Sequence, residues 1–287
     1  MTKIRKAIIP VAGFGTRFLP ASKAQPKEML PIVDKPTIQY IVEGCVKAGI
    51  KDIIFVTSSN KRAVEDHFDN STGLENWLKK QGKTKQLNEI KKIAQMANFI
   101  YIRQKGPMGN GTPVLNAEKI IGDEPFMVFW GDEFYTGPKS WVKQMIDVYE
   151  KYGDPVLAAV KTDKEGQARY GIIDGVKVDK NIYEIKKVIE KPGPKKAPSK
   201  LASVGGYLLT PDIFPILKKL KPSKGGEVWL ADAIHTLSKQ RAMYACEIDG
   251  ELYDAGTLFG WLKANVDLAL THPKISKEFK KYLKKIK

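Results

Sequence analysis

Cysteine is almost absent: among 287 residues only Cys45 and Cys246 occur, far apart and in apolar surroundings. That excludes the dense pairing of a small secreted scaffold, and the lack of any CxxC or Cys/His spacing excludes a zinc site of the usual kind. Both read as small buried hydrophobes. Histidine is nearly as scarce. His67, His235 and His272 fall in helical or loop segments with no shared spacing, so they read as structural, and chemistry built on a histidine triad has no support. No apolar run approaches the length that crosses a bilayer, and the opening "MTKIRKAIIPVAG" lacks the h-region and small-residue cleavage site of a secretory signal. A cytoplasmic protein with no membrane partner is expected.

Acidic residues are in deficit: 48 Lys+Arg face 32 Asp+Glu, a net charge of +16. Such a balance suits a polyanionic partner, whether nucleic acid, an anionic surface or a phosphorylated metabolite. Seven lysines lie in the last fourteen residues, "KISKEFKKYLKKIK", around Ile275, Phe279 and Tyr282. A solvated basic helix accounts for them, and without a nucleic-acid motif beside them nucleic acid is not the expected partner. With 43% hydrophobic residues the chain can bury a sizeable core, as one large domain or two intimately joined halves.

Two periodicities alternate along the chain. Continuous apolar runs, "KAIIPVAG", "KDIIFVTS", "NFIYIRQ", "EPFMVFWGD" and "DPVLAAVK", read as buried strands. Between them lie helical patterns: Ile38, Ile41, Val42, Cys45 and Val46 share one face, with Pro36 suited to the first turn and Gly49 to the C-terminal cap. Other helices are expected in "TPVLNAEKIIG" and "PKSWVKQMIDVYEKYG", and two long polar ones in an insertion from Asn60 to Ala97. The pattern is that of an α/β fold, a mainly parallel sheet covered on both faces. After about residue 162 the grammar changes: "YGIIDGVKVD" and "IYEIKKVIEKP" read as a hairpin forming a small added layer, and "LASVGGYLLT" as a returning strand. "EKPGPKKAPSK" is a loop and "ELYDAGT" a turn.

In an open parallel sheet, ligands sit beyond the carboxyl ends of the strands, which puts "PVAGFGTRFLPASKAQPKEMLP" (residues 10–31) where a nucleotide binds. It matches neither common glycine motif. The frame set by Gly13 and Gly15 meets Phe18 where a dinucleotide fingerprint needs glycine, and a P-loop's Gly-Lys-Ser/Thr is missing. Instead Arg17, Lys23 and Lys27 follow, with Glu28 adjacent: cations near backbone amides neutralise a polyphosphate, and a carboxylate beside them positions a base or ribose. Asp132, just past the strand "FMVFW", is held at the sheet's functional edge, a place where a lone aspartate also serves as a helix cap or turn residue.

The string "GFGTRFLPASKAQPKEMLPIVDKPTIQYIVEGCVKAGI" resembles the signature of the sugar-1-phosphate nucleotidyltransferases, and within them the bacterial and archaeal UTP:glucose-1-phosphate uridylyltransferases. The resemblance continues through "KRAVEDHFDNSTGLENWLKK", "YIRQ", "VIEKP" and "APSKLASVGGYLLT" to "LYDAGTLFGWL", nearly the whole chain. It implies a Rossmann-like three-layer α/β/α fold of glycosyltransferase-A type, in a single domain over 1–287: a nucleotide-binding half to about 162, a sugar-phosphate half over 163–256 and C-terminal helices over 257–287. It implies a magnesium-dependent transfer from UTP to glucose 1-phosphate, and a homo-oligomer, dimer or tetramer. By the same resemblance Ala12, Gly13, Glu28, Gln104 and Gly109 hold the uracil in a nucleotide loop that includes Gly15 and Thr16. Arg17 and Lys27 serve the phosphates, Asp132 and Asp254 bind Mg2+, Gly171 and Glu190 contact the sugar, and Lys191 its phosphate. Glu190 and Lys191 can serve different groups only if their strand ends near Pro192, because neighbours on a strand face opposite ways.

Two segments depart from the family's pattern. "GNGTP" (Gly109 to Pro113) stands where Gly-Leu-Gly-His-Ala is usual, and "GDE" (Gly131 to Glu133) where Pro-Asp is. The first reads as an exchanged helix entrance, with Thr112 at N-cap and Pro113 at N1. Because it touches the base and ribose region, a dTDP- or CDP-sugar-forming relative stays open beside the UTP reading, as does a catalytically silent nucleotide-sugar sensor on the same fold.

Overall fold

The strand expected at "KAIIPVAG" forms over Lys6–Pro10 (β1) in a computed structural model that describes residues 3–223 and 225–286. The glycine loop and three short 3-10 turns between Thr16 and Met29 lead to a ribbon of β2 (Pro31–Ile32) and β3 (Lys35–Pro36). Helix α1 (Thr37–Lys47) follows, closed by Gly49 at φ 93, then β4 (Asp52–Thr57). The insertion holds three helices rather than two: α2 (Arg62–His67), α3 (Thr72–Lys80) and α4 (Thr84–Ala94). Next come β5 (Asn98–Arg103), α5 (Gly111–Asn116), α6 (Glu118–Ile121), β6 (Phe126–Phe129), β7 (Glu133–Thr136), α7 (Trp141–Tyr152) and β8 (Val156–Lys161). The second half runs α8 (Lys164–Arg169), β9 (Gly171–Asp179), β10 (Ile182–Glu190), β11 (Leu201–Leu209), α9 (Ile213–Lys219), α10 (Leu230–Leu237), β12 (Tyr244–Glu247), β13 (Glu251–Asp254), α11 (Leu258–Thr271) and α12 (Ser276–Leu283).

One nine-stranded sheet, ordered β5-β4-β1-β6-β11-β8-β12-β10-β9, passes through both halves. Seven strands run one way and only β10 and β11 run against them, so the sheet is mixed and mainly parallel. Alternation along the strands builds the layers. Ala7, Ile9, Ile53, Phe55, Met127 and Phe129 pack toward α1 and α7, while Ile8, Ile54, Val56, Phe126 and Val128 pack toward α5, α9 and α10. Burying both faces is why these strands read as unbroken apolar runs. Cys45 and Cys246 are free and buried, as the apolar sequence around them implies.

Three local expectations change. The β9 and β10 hairpin is not a layer of its own: β10 pairs with β12 and prolongs the central sheet, and the separate small β elements are the ribbon of β7 and β13 and that of β2 and β3. "ELYDAGT" is accordingly a strand, β13, before it turns. Helix α5 begins at Gly111 with Asn110 at its N-cap position, so Thr112 and Pro113 lie inside it, both buried. Asn110 instead accepts from the Leu230 amide at 2.8 Å, tying the "GNGTP" segment to the start of α10.

Candidate active site

At the carboxyl ends of β1, β4 and β6 opens a cavity of 1230 Å³. Ala12, Gly13, Thr16, Arg17, Lys27, Glu28, Gln104, Gly109 and Asp132 line it from the first half, and Gly171, Glu190, Lys191 and Asp254 from the rest. Gly15 alone of the expected residues does not. It has φ 69, and a Cβ there would meet the Lys27 Cβ at 3.2 Å, while its carbonyl accepts from Ser22 Oγ at 2.7 Å. Gly15 shapes the loop that carries Arg17 and Lys27; it is not among the residues facing the ligand space. None of the three histidines lines the cavity: His67 meets Gln39 and His272 meets Asp34.

Strand β7 carries the acidic centre. Asp132 precedes it, and antiparallel pairing sets Asp254 of β13 opposite Glu133. The Ala255 amide donates to the Asp132 carbonyl at 2.8 Å, fixing the ribbon's end. A Cβ on Gly256 would lie 2.3 Å from Asp132 Oδ2 and 3.1 Å from Asp254 Oδ1, so the two oxygens are separated by no more than the sum of these lengths. Each carboxylate has a cation of the chain itself: Lys27 on Asp132, Arg169 on Asp254, the latter also accepting from the Tyr170 hydroxyl at 3.0 Å. Burial opposes the charge of Lys27, but Asp132, Glu28 and Glu133 outweigh it and raise its pKa above the ordinary lysine value. Glu133, accepting from the Gly205 amide at 2.8 Å, is pushed up to about 8 by burial and by Asp132 and Asp254. Gly205 reaches it from a bulge in β11, at φ 93.

Among the described residues no three His, Cys, Asp or Glu side chains form a self-sufficient metal cage. Asp132 and Asp254 do supply two converging hard oxygens, a donor set that fits magnesium with the remaining positions left to phosphate and water.

In the first half, Glu28 is buried, and Lys61, whose side chain is 1% exposed, donates to its Oε2 at 2.9 Å. Burial holds the Glu28 carboxyl above the ordinary carboxylate value, with Lys61 and Lys27 pulling it back only in part. Gly131 leaves room, since a Cβ there would stand 3.0 Å from Glu28 Cγ. Gly109, at φ 110, presses against Val228, where a Cβ would come within 2.3 Å of the carbonyl oxygen. On the far side, β10 ends at Glu190 and Lys191 takes φ 46, a turn that brings both side chains to the cavity. A lysine in this left-handed region is strained, and such strain concentrates at functional sites. Lys191 Nζ lies 3.7 Å from Glu190 Oε1 and 5.8 Å from the centre of the Trp229 ring.

Sequence reasoning missed Lys61, Arg169, Tyr170 and Glu133. Lys61 lies 33 positions from Glu28 and Arg169 lies 85 from Asp254, separations that carry no periodic signal. Only "RY", just before Gly171, could have drawn attention to Arg169 and Tyr170.

The nucleotidyl transferase family model matches residues 6–270. This chain belongs to that family. Among relatives of this nucleotidyl transferase, UTP--glucose-1-phosphate uridylyltransferase 2 of Staphylococcus saprophyticus is 47% identical over 287 residues, 100% of this chain and 99% of that one. A UDP-glucose pyrophosphorylase solved with UDP-glucose is 41% identical with a TM-score of 0.84, over 94% of this chain and 100% of that chain. A UTP-bound UDP-glucose pyrophosphorylase from Acinetobacter baumannii is 35% identical with a TM-score of 0.93, over 99% of this chain and 100% of that chain. The family's three-layer α/β/α architecture is the one built by the sheet and its two helical faces.

Proposed function

We propose that this protein transfers a uridylyl group from UTP to glucose 1-phosphate, forming UDP-glucose and pyrophosphate. A phosphate oxygen of glucose 1-phosphate attacks the α-phosphorus in line. The bond from that phosphorus to the oxygen bridging the β-phosphate breaks, and pyrophosphate carries the electron pair away. No covalent enzyme intermediate is required. The protein's part is positioning and charge neutralisation, which suits a cavity of glycines, cations and carboxylates.

The loop at Ala12, Gly13 and Thr16, with Glu28, Gln104 and Gly109, holds the nucleoside, and Arg17 with Lys27 neutralises the triphosphate and the leaving pyrophosphate. Glu190 accepts from sugar hydroxyls, Gly171 offers its backbone, and Lys191 holds the sugar phosphate. Asp132 and Asp254 hold Mg2+, which when bound withdraws charge from the α-phosphate. Lys27 and Arg169 pair with the two carboxylates that would hold the metal, so cations of the chain stand beside the place where the phosphates would lie. The protein works as one domain over 1–287, in the cytoplasm, as a homo-oligomer of dimer or tetramer size.

The observation that carries the reading is that thirteen of the fourteen residues implied by family resemblance, spread from Ala12 to Asp254, line one cavity. Its test is pyrophosphate release with magnesium over UTP, dTTP, CTP, ATP and GTP against glucose, galactose and N-acetylglucosamine 1-phosphates. A maximum at UTP with glucose 1-phosphate is expected, abolished in Asp132→Ala with the fold retained. The "GNGTP" segment favours one second reading, a dTDP- or CDP-sugar-forming enzyme, and a maximum at dTTP or CTP would establish it. No release from folded protein would make it a sensor.

A further inference from the structure

The pair of Lys61 and Glu28 is an ion pair out of water, with side chains 1% and 2% exposed. Removing two charges from solvent costs several kcal/mol, which the pair's own attraction offsets only partly, so such a pair is weak as a stability device. Its placement is informative. Lys61 stands at the entrance to α2, directly after Ser58, Ser59 and Asn60, which line the cavity, and Ser58 Oγ donates to the Ala12 carbonyl at 3.2 Å. The lysine therefore ties the first turn of the insertion to the nucleotide loop. Its ammonium takes Glu28 Oε2, and no second side chain among the described residues donates to this carboxylate, which also accepts from its own backbone amide and belongs to a residue that lines the cavity. The charged groups acting on Glu28 are Lys61 and, from its own turn, Lys27, which is in turn held by Asp132.

We infer that Lys61 is a positioning residue for base selection: it fixes Glu28 as an ionised acceptor facing the nucleotide, so that the site takes a pyrimidine bringing N3–H and rejects one whose N3 is a lone pair. Uracil supplies that donor and cytosine does not. This rests on the proposed uridylyl transfer and names the residue that would set its base preference. A neutral or unfixed carboxyl could donate as well as accept, and the discrimination would be lost. The magnitude follows from one hydrogen bond to a charged group, worth roughly 1.5–3 kcal/mol, or roughly ten- to a hundredfold.

Steady-state kinetics and calorimetric binding of UTP and CTP test it on the full chain, as wild type, Lys61→Met, Glu28→Gln and the double variant. Lys61→Met should raise KM for UTP roughly tenfold or more, with kcat and the KM for glucose 1-phosphate little changed, and should lower the UTP over CTP preference by a similar factor. The double variant, which leaves no lone buried charge, should show no loss beyond that of Glu28→Gln; it carries the test if Lys61→Met fails to fold. An unchanged UTP over CTP preference in the folded variants, or parallel weakening toward both nucleotides, would overturn the role of Lys61. Failure of the wild type to turn over UTP would instead remove the proposed function, and the binding ratios would still decide the role of Lys61.

Discussion

Glu133 shows how neighbouring charges set the behaviour of one side chain. Burial, with Asp132 and Asp254 beside it, moves its carboxyl from the ordinary 4.5 to about 8 in the fold, against the opposing pull of the Gly205 amide and Lys27. The folded protein therefore holds a proton that the unfolded chain releases near 4.5. Stability from this group is fully present below that value and is lost as pH rises through about 8. In protein kept free of divalent ions, the melting temperature should fall between pH 6 and pH 9 more steeply for wild type than for Glu133→Gln, which cannot titrate. Equal slopes would mean that Glu133 is already ionised throughout. The sequence disclosed the carboxylate in "GDE", but its proton depends on burial first, then on Asp132 and on Asp254, a residue more than a hundred positions away that only the ribbon brings alongside.

The ribbon of β7 and β13 is the element on which the acidic centre depends. Its pairing places Asp254 across from Glu133, and the glycine two residues beyond Asp254 leaves the gap into which Asp132 projects. A methyl group at Gly256 would lie 2.3 Å from Asp132 Oδ2, a distance that forces the carboxylate or the ribbon to move. Displacements of about 1 Å in a positioned reacting group cost on the order of 100-fold in rate. Gly256→Ala should lower kcat by roughly that factor and weaken magnesium binding measured by calorimetry without nucleotide, while changing the melting temperature little. Normal metal affinity with normal kcat would show that the ribbon accommodates the methyl and that the gap has no function. From sequence, "YDAGT" announced Asp254 and a turn. It did not announce a strand, because four residues pairing at one edge leave no periodic trace.

At the scale of the molecule, a net charge of +16 surrounds a cavity whose proposed ligands are both anionic. Electrostatic attraction raises encounter rates and is screened over a Debye length of about 10 Å at 0.1 M salt. The kcat/KM for UTP should decline steadily between 25 and 400 mM potassium chloride, mostly through KM, with kcat nearly constant. A kcat/KM independent of salt would show that the excess lysines, those of α12 included, play no part in capture. Sequence alone determined the alternation of strands and helices, because residues buried on both faces of a sheet must be apolar in an unbroken run, as in "AIIP" and "IIFV". It also determined which loop lines the cavity, since glycines, a cation row and a carboxylate at short spacing are a local arrangement. Tertiary structure alone decided the pairing of Lys61 with Glu28 and of Arg169 with Asp254, the continuation of the β9 and β10 hairpin into the central sheet, and the exclusion of Gly15 from the cavity. Those depend on strand order and on contacts between distant segments, and a one-dimensional pattern records the burial of a residue without recording what it is buried against.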